Sequence, residues 1–502
     1  MTAPNAPAAP RTPSVASGSR VPTRRGTELA LIIVAMVLVL AYSASAEYGL
    51  VGRVTGDVWV VPALLGILFV GMHVVARILV PHADPVILPC VAFLNGLGVV
   101  FLRRLDLGSL DPAKRAGYSI FAGLGFRQLL WTMVALVVAS VALALVRDHR
   151  TLSSYAYTLG LIGIVLVLIP AVLPARFSTV NGAKLWIRFG GFFQIQPGEF
   201  AKLALLAFFA YYLVRKREVL SLASRRFLGI DFPRGRDLGP VLLVWALSLM
   251  VLVFEKDLGT ALLYFGMFVV TLYVATERVS WLIIGLLLFS GGAFVAYTLG
   301  ATVGGPFANF HERVDIWLDP FADANGTGFQ LVQSLLGLGT GGLFGTGPGL
   351  GTPYISQLHR FILPEVENDF IFAGLGEEIG LFGLTALLAV YLIIVERGLR
   401  AAIAVRDSFG KLLAGGLAFT LGLQVFVIVG GVTKLIPLTG QTTPFLSAGG
   451  SSLMSNWVLI ALLLRISAAA RNPMSTSATV GVSGGRGTPP ARLHEAPTEM
   501  IR

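Results

Sequence analysis

Apolar runs of about 20 residues recur from one end of this chain to the other, and no other feature constrains its fold as strongly. A helix of that length crosses the ~30 Å hydrocarbon of a bilayer. Lipid offers no partner to a free N–H or C=O, so each run must satisfy its own backbone as helix. Twelve stretches fit, at 28–46, 58–80, 86–102, 127–146, 155–175, 198–214, 238–254, 258–276, 280–299, 370–396, 410–433 and 451–470. The turn FEKDLGT separates the seventh from the eighth least sharply. The composition agrees: 55% of the 502 residues are hydrophobic and 13% charged, against roughly 25% charged in soluble domains. The predicted fold is an all-α, polytopic transmembrane bundle of about twelve spans with a large external loop.

A net charge of +11 invites a nucleic-acid reading, but its placement argues against one. Basic residues crowd RTPSVASGSRVPTRR before the first span, RDHR at 147–150, RKREVLSLASRRFLGIDFPRGRD at 215–237 and ERGLRAAIAVRD at 396–407. All four fall on one side of a twelve-span count, the cytoplasmic side by the positive-inside rule. Both termini are then expected in the cytoplasm. Loop 103–126, with RRLD and AKR, is the exception. Residues 1–25 and 471–502 are rich in Pro, Ser, Thr, Gly and Arg and read as disordered tails, leaving 26–470 as one membrane domain. The first apolar stretch reads as an anchor, not a cleavable signal peptide. Cys90 is the single cysteine, so no intrachain disulfide is expected.

The conspicuous polar residues are one-sided. Loop 176–197, the turn at 255–257, the segment 300–369 and loop 434–450 all count as external. A transporter working by alternating access keeps its site near the midplane; a site at the outer helix ends suits a substrate whose reactive part lies outside. Segment 300–369 exceeds the usual length of an idle connector. Within it Gln330, Gln333, Ser334 and Gly337 recur at helical spacing opposite Leu331, Val332, Leu335 and Leu336. An amphipathic helix on or in the outer leaflet and an ordinary packed helix both fit that period. Gly337, Gly339 and Gly342 match GxGxxG, but no strand precedes them, so nucleotide binding does not follow. There is no Walker lysine, HExxH or Cys/His cluster, and no protein-bound metal site is expected.

Carboxylates in ILPEVENDFIFAGLGEEIG carry the chemistry. Asp369 precedes an apolar helix, where it suits an N-cap. A capped carboxylate is also fixed and ionised, as a general base must be; the two readings are compatible. Glu377 and Glu378 lie ~12 Å deeper at 1.5 Å per residue, where an acid is either paired or functional. Lys202, in GEFAKLALL, is a candidate partner. Lys184 and Arg188 flank Trp186, and Arg313, Arg360 and Lys434 count on the same side. Singly each suits an interfacial snorkelling residue; together near a carboxylate they suit an anionic head group such as pyrophosphate.

Five motifs now stand in order: NGAKLWIRFGGFFQIQPGEFAKL, EKDLGTALL, LDPFADANGTGFQLVQSLLGLGTGGLFGTGPG, LPEVENDFIFAGLGEEIGLFG and LIPLTGQTTPFLSAGGSS. Together they resemble the signatures of the SEDS proteins, the RodA/FtsW group, collinearly from roughly residue 127 to 467, with a lean towards the RodA type. The resemblance implies a peptidoglycan glycosyltransferase that polymerises lipid II on the outer face of the bacterial cytoplasmic membrane beside a class B penicillin-binding protein. It places the family's essential aspartate at Asp369 and the glutamate of its QP-S/A-E motif at Glu199. Glu367 and Asn368 replace a His-Thr pair, Lys256 a proline, and Phe329 and Ala448 tyrosines. The family usually has ten spans, so 58–80 and 86–102 read as an added pair.

On this reading Asp369 deprotonates the sugar 4-hydroxyl of acceptor lipid II, which attacks the anomeric carbon of the undecaprenyl-pyrophosphate-linked strand with inversion, giving a β-1,4 link. Lys184, Arg188, Arg313 and Lys434 are candidates to stabilise the leaving pyrophosphate, with magnesium or manganese as a candidate bridging ion. Trp186, Glu199, Lys202, Asp257, Gln330, Gln333, Ser334, Thr439 and Ser451 complete the expected substrate-binding set. The lipid tails would lie in a hydrophobic groove between helices. A lipid II flippase, a generic secondary transporter and a catalytically silent scaffold for a penicillin-binding protein are the alternatives.

Overall fold

The computed structural model describes residues 24–471 apart from 116, 181–182, 190–192, 222, 228–229, 234–238, 255–256, 353, 356–359 and 362. The two tails, Asn181 and Gly182 of the NGA motif, and Glu255 and Lys256 lie outside the described residues, as does the side chain of Arg360.

Every expected apolar stretch is helical. The chain runs through α1 (Arg25–Val51), α2 (Val60–Leu79) and α3 (Ile87–Gly108), then the single turn α4 (Pro112–Arg115) and α5 (Gly123–Leu145). The turn α6 (Thr151–Ser154) leads into α7 (Ala156–Val172), and α8 (Ala175–Ser178) into two hairpins, β1–β2 (Thr179–Val180 with Ala183–Lys184) and β3–β4 (Ile187–Phe189 with Phe193–Ile195). Next come α9 (Pro197–Ser221), hairpin β5–β6 (Ala223–Phe227 with Ile230–Pro233), α10 (Gly239–Phe254), α11 (Leu258–Thr276) and α12 (Ser280–Thr302). The long loop holds α13 (Ala308–Leu318), α14 (Phe329–Gly341) and hairpin β7–β8 (Tyr354–Ile355 with Arg360–Phe361). Helices α15 (Ile371–Ala404), α16 (Ser408–Val432) and α17 (Gly450–Arg471) complete the bundle.

The expected count of about twelve spans is not confirmed by helix length alone. Among the described residues ten helices are long and apolar enough to cross a membrane. Helices α7 and α10, at 17 and 16 residues, are apolar and stand at the lower limit of the ~17–25 that cross hydrocarbon. The centre belongs to α3, α17 and α16, whose spanning stretches are 89%, 78% and 72% buried; α12, at 17%, lies on the rim. At the middle of the bundle Trp457 of α17 is fully buried, stacks near Phe69 and donates through Nε1 to Asn95 Oδ1 at 3.0 Å.

Contacts between loops sort the helix ends into two groups. At one end Arg25 donates to the carbonyl of Pro81 at 3.1 Å, Asp84 pairs with Arg471, His149 meets Asp407 at 2.8 Å, and Arg217 pairs with Glu277 at 3.0 Å. At the other, Arg115 donates to Leu50 O at 3.0 Å, Gln196 N–H to Ser451 Oγ at 2.9 Å, and Arg313 to Leu438 O at 2.8 Å. This is the partition read from the charged loops. The basic residues of RRLD, the one exception, are not loop charges. Arg103 and Arg104 lie inside α3 and are buried, and Arg104 pairs with the buried Glu378 of α15. They therefore carry no weight in a loop-charge count.

Helix α15 is interrupted at Gly380, where φ is 65° and ψ −174°. Chain leaving α14 fills the break: Leu381 N–H donates to Gly342 O at 2.9 Å and Phe382 N–H to Leu343 O at 3.1 Å. Thr346 and Gly347 N–H donate in turn to the carbonyls of Glu377 and Glu378, at 2.9 and 3.0 Å. Irregular backbone against a spanning helix is tolerated because every group finds a protein partner. Only glycine fits here, since a Cβ on residue 380 would lie 2.3 Å from Gly345 N.

Helix α14 exists where the periodicity placed it, but packs along α15, with its polar stripe turned partly inward. Ser334 is fully buried and donates to Val432 O at 3.1 Å, while Leu336 is exposed. Gly337 and Gly339 of the GxGxxG match lie within this helix and Gly342 ends it.

Candidate active site

Asp369 sits in a turn that is tied down on both sides. Glu365 adopts a left-handed φ of 56°, and its carbonyl accepts Asn368 N–H at 3.0 Å and Phe370 N–H at 3.2 Å. Its carboxylate accepts the Asn368 amide at 2.7 Å. From the neighbouring loop Ala448 N–H donates to Glu367 O at 2.8 Å, and Ser447 Oγ donates to Asn368 O. Ser447 O is itself held by Gln128 of α5 at 3.0 Å. The backbone of Asp369 is thus clamped, yet its carboxylate accepts no hydrogen bond from the described residues. The expected N-cap is corrected: Phe370 occupies the cap of α15, with no side-chain cap bond. The Glu365-centred turn moves the helix start on by one residue, to a cap at Phe370.

Without a cap, burial decides the charge. Withdrawal from water pushes the Asp369 carboxyl up to about 7; the negative charge of Glu365 adds to this, the Arg313 guanidinium opposes it, and Asp257 and Glu367 push further upward. The expectation of a carboxylate kept ionised by capping gives way to one that titrates near neutrality. Arg313, on α13, is aimed by Asn309 Oδ1 at 3.0 Å and Leu438 O at 2.8 Å. Gly440, at φ 71°, lies between them: a Cβ there would stand 3.5 Å from both terminal guanidinium nitrogens and 3.6 Å from Asp369 Oδ2. The missing side chain leaves carboxylate and guanidinium facing one gap, without a direct ion pair among the described residues.

Asp257 belongs to the wall of this site. It caps α11, accepting Thr260 N–H at 2.9 Å and Thr260 Oγ1 at 2.6 Å, and Gln441 donates to both its oxygens at 3.2 and 3.3 Å. Fully engaged, it shapes the field more than it offers a free ligand. Thr439 is buried beside Gly440 in the same loop. Lys434 adopts φ 61° and its carbonyl accepts Trp317 Nε1–H at 3.2 Å.

The other expected residues divide into groups. Glu199 and Lys202 pair at 2.7 Å in the first turns of α9, and Lys202 Nζ also donates to Gln424 at 3.1 Å and Asn456 at 3.2 Å. Lys202 is therefore not the partner of Glu377 or Glu378, as expected from sequence. Glu377 accepts both Thr352 N–H and Thr352 Oγ1–H at 2.8 Å, and Glu378 is held by Arg104 and Tyr42. Both intramembrane acids are thus bonded within the protein. Ser451 Oγ accepts Gln196 N–H at the start of α9, which brings the hairpin carrying Lys184, Trp186 and Arg188 to the same end as Asp369. These three are half-buried, and among the described residues no hydrogen bond or ion pair joins them to Asp369. Gln330 and Gln333 are half-buried on α14. An apolar groove of about 450 Å³ is lined by Leu338, Leu343, Phe372, Leu384, Leu388 and Val429; Phe372 follows Asp369 by three residues.

A family profile described as "Cell cycle protein", covering FtsW, RodA and SpoVE, matches residues 85–472. The chain belongs to the FtsW/RodA/SpoVE family. Curated relatives include the peptidoglycan glycosyltransferase RodA of Mycobacterium tuberculosis, 47% identical over 456 residues, or 91% of this chain and 93% of that protein. The probable peptidoglycan glycosyltransferase FtsW of a Geobacter species is 34% identical over 76% of this chain and 96% of its own. Among solved structures, a chain from a peptidoglycan synthase complex that coordinates polymerization and crosslinking covers 77% of this chain and 97% of its own, at TM-score 0.56 and 26% identity. The rod shape determining protein RodA of Thermus thermophilus aligns over 77% of this chain and 96% of its own, at TM-score 0.50 and 25% identity.

The family match corrects one expectation. It begins at residue 85, so α3 is part of the family core and the added helices are α1 and α2, not the second and third. Sequence reasoning also missed Gln441, which holds Asp257, and Arg104, whose misplacement in the charge count was the available signal. Glu365 stood in the opening motif, but its left-handed turn could not be read there.

Proposed function

We propose that this protein is a peptidoglycan glycosyltransferase that polymerises lipid II at the outer face of the bacterial cytoplasmic membrane, with Asp369 as general base. One observation carries the reading: a clamped aspartate with a free carboxyl that titrates at about 7, facing Arg313 across Gly440. A base is most effective when its pKa lies near the working pH. Asp369 takes the proton of the acceptor 4-hydroxyl as that oxygen attacks the anomeric carbon; the pyrophosphate leaves from the opposite face, giving an inverted β-1,4 link. A leaving pyrophosphate needs charge stabilisation, assigned to Arg313 with Lys184, Arg188 and Lys434. A magnesium or manganese ion belongs to the proposal, and would supply positive charge to the leaving pyrophosphate. Among the described residues no group of three or more His, Cys, Asp or Glu side chains is placed to hold a metal, so the substrate would supply most of its oxygens. The groove beside Phe372 offers the polyprenyl tail an apolar surface.

The flippase alternative needs open polar groups along a path through the bundle. Glu199, Lys202, Glu377 and Glu378 are instead bonded within the protein. A class B penicillin-binding protein is the proposed crosslinking partner, supported by the likeness to a chain from a synthase complex.

The test is Asp369→Asn in purified protein supplied with lipid II. Polymer yield should fall by at least about 100-fold, the scale of a lost general base, with the unfolding temperature retained. Near-normal glycan from the variant would defeat the assignment.

A further inference from the structure

The helix pair α1–α2 precedes the family match, yet α1 reaches the break in α15. Its Tyr42 hydroxyl donates to one oxygen of Glu378, whose other oxygen meets Arg104 Nε. Arg104 carries the connection on, donating through Nη2 to Gly351 O at 2.6 Å. Glu378 also accepts Gly347 N–H on its backbone carbonyl at 3.0 Å. The outer end of α1 packs on the same segment with no room to spare: a Cβ on Gly349 would lie 2.2 Å from Ala46 O, and one on Gly49 would lie 2.7 Å from Pro348 O. Glu378 is fully buried and Arg104 nearly so. A buried carboxylate needs hydrogen-bond donors; Glu378 Oε1 lies against Arg104 Nε as an ion pair but accepts no hydrogen bond from the described residues. The donor to the other oxygen, the Tyr42 hydroxyl, comes from outside the family core.

We propose that Tyr42 is a positioning residue for the polymerase: through Glu378 and Arg104 it holds segment 345–352 in the break of α15, the helix that begins two residues after Asp369. The inference rests on the glycosyltransferase reading above. Removing the hydroxyl leaves one Glu378 oxygen unpaired in a buried site, so the carboxylate shifts its hold on Arg104 and the segment loosens. The Asp369 turn, clamped separately by residues 447–448, keeps its fold. The effect therefore falls on the rate of the reaction more than on assembly of the protein.

The experiment uses the full chain in lipid nanodiscs and compares Tyr42→Phe, Glu378→Gln, their combination, and Tyr48→Phe, which alters an exposed tyrosine of the same helix. Hydrogen exchange over 345–352 should quicken about tenfold in Tyr42→Phe, the scale of one hydrogen bond to a charged group. The kcat for glycan synthesis from lipid II should fall several-fold with little change in KM, and the combined variant should be no worse than Glu378→Gln alone, because both act through one connection. Tyr48→Phe should match the parent in both readouts. Parent-like exchange and kcat in Tyr42→Phe would overturn the proposal, as would quickened exchange with unaltered kcat, or losses that multiply in the combined variant. A parent protein that makes no polymer would overturn the glycosyltransferase reading itself, and is told apart because the Tyr42 arms differ from the parent only in exchange.

Discussion

At the scale of single residues, Asp369 depends on its neighbours for its proton. Burial and then Glu365 raise its carboxyl, while Arg313 lowers it. The base form is populated above about 7, so the rate should climb with pH through that value. Glu365→Gln removes a negative neighbour, which lowers the Asp369 pKa and should move the acid limb of the kcat profile to lower pH; an unmoved or upward-shifted limb would contradict this account. The sequence singled out Asp369 as a candidate, since motif and position are local. It did not show the carboxyl's charge state, because burial sets it and Asp257 and Arg313 reach it from two other elements, with Glu365 brought round by its own turn. Lys202 was matched to the wrong acids for the opposite reason, a local pairing passed over. Its partner Glu199 stood one helical turn away, at a spacing that commonly pairs charges.

At the scale of elements, α15 and the chain after α14 form one device. The break at Gly380 exposes carbonyls that residues 346–347 cover, and exposes N–H groups at 381–382 that Gly342 and Leu343 cover. Gly380→Ala places a side chain in a glycine-only backbone region, which costs about 1–3 kcal/mol, and drives its Cβ against Gly345. Thermal unfolding followed by circular dichroism should show a clearly lower midpoint; an unchanged midpoint would mean the break is not built as described. The apolar pattern announced a single long helix over 370–396, because hydropathy averages over residues and is blind to one dihedral pair. The helical period at 330–337 was legible as well. Which face turns inward was not, since α15, 40 residues further on, decides it.

At the scale of the whole molecule, alternate loops meet at alternate ends, and both termini are proposed to lie in the cytoplasm. With Cys90 replaced by alanine, single cysteines at exposed positions test this. A membrane-impermeant maleimide added to intact cells should label Lys114→Cys and not Arg400→Cys; the reverse pattern would invert the topology. Helix positions, the division of loops into two sets and the family motifs were all determined by the sequence itself. Apolar length and charge asymmetry act within some 20 residues, and lipid enforces them wherever the helix packs. The pairing of Arg104 with Glu378, the gap shared by Asp369 and Arg313, and the docking of α1 on the loop after α14 were decided only in the folded bundle. Those contacts join residues tens to hundreds apart, and their geometry exists only once buried charges have had to find one another.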